Sequence, residues 1–113
     1  MSHSRWKTLR ERKLAEGFTE PEDVAEARRV IRMSMALAKA VYDRRIELGL
    51  TQTELADRAG LTQAKISRIE GSDTVPTLPL LAKLARALDA TLNIALDSDD
   101  TQVTFTAHRS DAA

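Results

Sequence analysis

The residues of this 113-residue chain best equipped for chemistry are Gln63, Ala64, Lys65, Ser67 and Arg68. Amide, ammonium, hydroxyl and guanidinium groups all donate hydrogen bonds, and no acid intervenes before Glu70. Such a set recognises acceptors. Bond-making chemistry finds no support in the chain: there is no nucleophile–base pair, no glycine-rich phosphate loop and no ligand cluster. Cysteine is absent, which removes disulfides, thiolate zinc sites and cysteine nucleophiles and fits a reducing cytoplasm. His3 and His108 lie near opposite ends in polar surroundings, as solvated groups rather than a metal pair. Asp97, Asp99 and Asp100 form an acidic knot, but the glycine and distant Glu of a calcium loop are missing. They read as turn residues. The expectation is a protein that binds and does not catalyse, with no cofactor and no metal.

The donor set must be held by a helix, and the sequence says how. The tripeptide LTQ occurs at 50–52 and again at 61–63, and each copy is a helix start. Thr51 precedes Glu54 by three residues, which makes a capping box. Thr62 caps the next helix, with Lys65 where the acid would be. Gly60 lies between them, where a tight turn needs a positive φ. Leu55, Ala56, Ala59, Leu61, Ile66 and Ile69 then face one core, and the donor set falls largely on outer faces.

Around this pair the chain is mainly helical. Residues 4–17 suit a short helix capped by Ser4 and closed by Gly17. Thr19-Glu20-Pro21-Glu22 is a second start signal. From there to about Leu48, Val24, Ala27, Ile31, Met35, Ala38 and Val41 recur at steps of three and four. That span is either one long helix or two with a break near Ser34. Shorter helices are expected at about 52–59, 63–70 and 78–88. The period then changes to two. Leu92, Ile94 and Leu96, then Val103, Phe105 and Ala107, alternate with polar or small residues on either side of a DSDDT turn. This predicts two strands, as a hairpin, followed by a disordered tail over 108–113.

Hydrophobic residues make up 42% of the chain, enough for a single core without staples. No apolar run approaches the ~20 residues of a membrane span, and the first residues lack the apolar centre of a signal peptide. A cytoplasmic protein is expected. Net charge is zero, which argues mildly against a nucleic-acid binder. The distribution is uneven, however. Residues 1–35 carry eight basic and six acidic groups, and residues 97–113 carry one basic and four acidic. An acidic tail can mask a small basic face.

LTQTELADRAGLTQAKISRIEG, with RRIELG before it and PTLPLLAKLARALDATL after it, resembles the helix-turn-helix of the Xre family, the Cro/cI type. The resemblance covers about residues 37–96. It implies a five-helix phage-repressor-like domain over 36–90, an N-terminal helical extension over 1–35, and a C-terminal two-stranded β element over 91–107. It also implies a mechanism. The helix opened by Thr62 would enter the major groove of double-stranded operator DNA. Gln63 would pair with adenine, Arg68 would fork onto guanine, and Ala64 would meet a thymine methyl. Lys65 and Ser67 would reach bases or phosphates, while Thr51 and Gln52 would hold a phosphate. Arg45 and Glu70 occupy positions that often form an ion pair in this family, bracing the reading helix. Asp73 departs from the pattern, standing where relatives place a residue that touches phosphate.

Family members usually act as homodimers. Leu92, Ile94, Val103 and Phe105 offer an apolar face that would either form the dimer or cover the chain's own helices. Trp6, Leu9 and Phe18 would either bind a partner or fold back onto the core. The architecture resembles HigA-like antitoxins, which neutralise a toxin of the RelE type, here a small basic protein, and repress their own operon. A stand-alone Xre repressor without a toxin partner is the alternative, and a pure protein-interaction module is a third.

Overall fold

The computed structural model describes residues 21–97 and 100–108. Its elements run α1 (Glu22–Glu47), α2 (Gln52–Ala59), α3 (Gln63–Glu70), α4 (Leu78–Ala87), β1 (Ala90–Leu96) and β2 (Thr101–Ala107). The described residues thus form four helices and one antiparallel two-stranded sheet, where five helices were expected for the domain. After α4 the chain passes directly into β1 at Ala90, which leaves no room for a fifth helix within 36–90. Helix α1 runs without a break through Ser34, which is buried, and neither glycine nor proline occurs in residues 22–47. The expected boundary at residues 35 and 36 therefore falls inside a helix. Pro21, not Thr19, sits at the N-cap of α1, without a side-chain cap. The expected helix at 4–17, with Trp6, Leu9 and Phe18, lies outside the described residues.

The turns follow from local chemistry. Leu50 N–H donates to the Arg45 carbonyl and Gly49 N–H to that of Ile46, with Gly49 at φ +71°. Gly60, at φ +68°, closes α2 the same way, through Leu61 N–H to the Ala56 carbonyl. The end of α3 repeats the motif, but the left-handed residue is Ser72 at φ +63° and not the neighbouring Gly71. Asp73 N–H then reaches the Arg68 carbonyl at 3.0 Å. Thr77 caps α4 by accepting from Leu80 N–H.

One core joins these pieces. Val41, Leu55, Ile66, Leu84 and Leu88 are fully buried, with Leu37 and Ile69 nearly so. Each such side chain contributes about 1.5–3 kcal/mol relative to exposure. The sheet closes the cluster from one side. Leu92 stands opposite Phe105 and Ile94 opposite Val103. All four are partly buried and pack against the core, while Thr91, Asn93, Thr104 and Thr106 face outward. His108 extends the pairing rather than beginning a tail. Its N–H donates to the Asp89 carbonyl and its ring meets the Asp89 carboxylate, both at 3.1 Å.

Two outcomes follow from the turns and caps. A non-glycine residue in the left-handed region costs about 1–2 kcal/mol, so Ser72→Gly should raise stability in urea melts by about 0.5–1 kcal/mol. Gly60→Ala should lower it by about 1 kcal/mol, through the backbone alone, since a Cβ there meets nothing within 4 Å. The Thr51 backbone and side-chain hydrogen bonds hold the Glu54 carboxyl below its ordinary pKa. A depressed carboxyl stabilises the fold above its unfolded pKa, and that contribution is lost as pH falls through the folded value. The acid limb of the melting temperature should therefore be shallower in Glu54→Gln.

Candidate nucleic-acid interface

Both helix starts carry their caps. Thr51 Oγ1 accepts from Glu54 N–H at 3.0 Å and Glu54 Oε1 accepts from Thr51 N–H at 2.9 Å. Thr62 Oγ1 accepts from Lys65 N–H at 3.1 Å. Buried Ile66 and Ile69 anchor α3 from beneath. Gln63, Ala64, Ser67 and Arg68 are consequently exposed on one side, with Lys65 half-buried. Thr51 and Thr62 are exposed and Gln52 is half-buried. Asp73 is exposed just beyond α3.

Beneath this surface lies a bidentate ion pair. Arg45 Nε donates to Glu70 Oε2 at 2.7 Å and Arg45 Nη2 to Glu70 Oε1 at 2.8 Å. Arg45 Nη1 also donates to the Leu50 carbonyl at 2.8 Å. The side chains are only 9% and 5% exposed, so this is a desolvated, charge-assisted pair. The Glu70 bonds push the Arg45 pKa up. One guanidinium thus ties the end of α1 to the α1–α2 turn and to the end of α3. Tyr42 covers it, with its ring centroid 5.2 Å away.

The pair continues outward through two amides. Gln52 Nε2 donates to Glu70 Oε1 at 3.2 Å, and Gln63 Nε2 donates to Gln52 Oε1 at 2.7 Å. The direction of this chain is determined by its ends. Arg45 can only donate and an ionised Glu70 can only accept. Gln52 must therefore point its nitrogen at Glu70 and its oxygen at Gln63. Gln63 must in turn donate to Gln52, which leaves its own oxygen and one N–H for a ligand. A buried acceptor thus orients both amides.

The sequence placed the members of this site but missed their linkage. Gln52, expected to serve a phosphate, also bonds Glu70 and Gln63 through its side chain. The repeated LTQ carried the signal, because it puts a glutamine at the first position of two consecutive helices, and those two side chains meet. Arg44 also went unforeseen. It is buried and donates to the Leu88 and Asp89 carbonyls at 3.0 and 3.2 Å, joining α1 to the end of α4. A surface groove beside the chain is lined by Arg45, Ile46, Gly49, Leu50, Thr51, Gln52, Thr53 and Gln63. Among the described residues no cluster of His, Asp or Glu could hold a metal ion, and no helix is long and apolar enough to cross a membrane.

Comparison with known proteins agrees with this geometry. The profile of the helix-turn-helix family HTH_3 matches residues 41–94. Antitoxin HigA1 of Mycobacterium tuberculosis is 36% identical over 88 residues, which cover 78% of this chain and 54% of that protein. The chain thus spans about half the length of that curated relative. An uncharacterized HTH-type transcriptional regulator of Methanothermobacter thermautotrophicus is 46% identical over 48 residues, covering 42% of this chain and 70% of that protein. The crystal structure of an HTH_3 family transcriptional regulator from Vibrio cholerae superposes with a TM-score of 0.54 at 26% identity, over 55% of this chain and 35% of that one. The matched residues hold the capped helix pair and its core, and the chain belongs to the Xre-type helix-turn-helix family.

Proposed function

We propose that the chain is a sequence-specific regulator of transcription that binds double-stranded DNA, and that it is an antitoxin repressing its own operon and neutralising a RelE-type toxin. The observation that carries the DNA reading is the exposed row Gln63, Ala64, Ser67 and Arg68 at the start and outer side of α3. Such a helix N-terminus fits the major groove. The oxygen and single N–H left on Gln63 match the N6 and N7 edge of adenine, and Arg68 offers a fork for guanine. Lys65 and Ser67 serve bases or phosphates, and the first turn of α2, at Thr51 and Gln52, lies against the backbone.

The similarity to antitoxin HigA1 over most of this chain supports the antitoxin reading. On that reading Trp6, Leu9 and Phe18 contact the toxin. The similarity to a transcriptional regulator whose name mentions no toxin favours a stand-alone repressor as the second reading.

Arg68→Ala should weaken operator binding by about 1–3 kcal/mol and relax preference at one base position, measured by titration against a panel of singly substituted operators. Unchanged affinity and preference would rule out this docking. Gln52→Ala should do more than weaken phosphate contact. Because it releases the Gln63 amide, it should also broaden preference at the position Gln63 reads, with little change in melting temperature. Co-expression with the neighbouring open reading frame separates the two functional readings. A co-purifying small basic protein that is toxic alone establishes the antitoxin, and its absence leaves the repressor.

A further inference from the structure

Helix α1 has two apolar faces, and the other described residues cover one. Ser34, Leu37, Ala38, Val41, Arg44 and Arg45 turn inward. Val24, Ile31, Met35, Tyr42 and Ile46 follow one another at steps of seven, four, seven and four. At about 100° per residue they fall within roughly 60° of one another, on a line about 33 Å long. All five are between 46% and 58% exposed. Soluble monomers seldom leave so long an apolar line open. The other candidate surface, Leu92, Ile94, Val103 and Phe105, is engaged with the chain's own core.

We propose that this line is a homodimer seam, on which α1 of a second copy packs antiparallel with the two-fold axis at Met35. The two ends of the line lie equally far from that residue. Val24 lies eleven residues before it and Ile46 eleven after. An antiparallel copy therefore sets Val24 against Ile46 of the second copy, and Met35 against itself. Tyr42 falls opposite Arg28 of the second copy, a ring against a cation. Ile31 falls opposite the aliphatic stem of Lys39. Ala27 flanks the line and admits a close approach.

The spacing fits as well, and this part rests on the DNA reading above. Ile46 lines the groove shared by Thr51, Gln52 and Gln63. Pairing through Met35 separates the two Ile46 residues by about 33 Å along the helix axes. Half-sites on one face of B-DNA recur at about 34–36 Å.

The absence of cysteine makes the test direct. Helix axes about 8–10 Å apart bring Cα atoms on a two-fold axis within disulfide range. In the full chain, Met35→Cys should cross-link to a covalent dimer under mild oxidation, while Thr104→Cys, on the exposed sheet face, should not. Light scattering of the unaltered protein should give a dimer. Met35→Glu should weaken it by roughly 100-fold or more, since it buries two like charges at the axis, while circular dichroism stays unchanged. A monomer at high concentration overturns the proposal. So does a dimer that resists Met35→Glu, or one that cross-links no better at residue 35 than at 104. A dimer that meets these tests yet binds no operator leaves the seam standing and removes the DNA reading instead.

Discussion

Arg45 and Glu70 are the pair on which the rest of the site depends. A desolvated ion pair adds little net stability over an apolar substitute, but removing one partner costs about 3–5 kcal/mol because the other is left buried and charged. Here that penalty enforces geometry. Arg45 satisfies Glu70 with two bonds and the Leu50 carbonyl with a third. The end of α1, the α1–α2 turn and the end of α3 cannot separate without stranding a charge. The exposed row on α3 is therefore held by a contact beneath it.

The same pair gives the surface its polarity. Glu70 accepts from Gln52, and Gln52 accepts from Gln63, so a buried carboxylate decides which atoms a surface amide shows to solvent. This is positioning through hydrogen-bond direction rather than through packing. It explains why a helix of only eight residues can present a defined pattern: its start is fixed by Thr62, its underside by Ile66 and Ile69, and its first amide by a chain leading back to Arg45.

Helix α1 serves a different end. Only its inner stripe is needed for the core, and its continuity through Ser34 extends a second apolar line well beyond the helix pair. Arg44, buried beside Arg45, ties the same helix to the carbonyls that end α4. Two adjacent arginines thus lock α1 to α3 on one side and to the strand entry on the other, leaving its outer line to face solvent.

Caps, turns and periodicity are local, and they were legible in the sequence. Thr51 with Glu54, Thr62, and the glycines at 49 and 60 act over three or four residues, so the helix pair, its core leucines and isoleucines, and both strands could be placed from spacing alone. Chain direction and packing between distant segments were not legible. Nothing local distinguishes one helix from two around Ser34; continuity is decided by burial of its inner face. Nor does the sequence say that Ser72 rather than Gly71 takes the left-handed turn. Likewise, the sequence supplied Gln52, Gln63 and Glu70 as separate hydrogen-bonding groups. Only the tertiary fold, by bringing residues 45, 52, 63 and 70 within bonding distance, joined them into a chain with one direction.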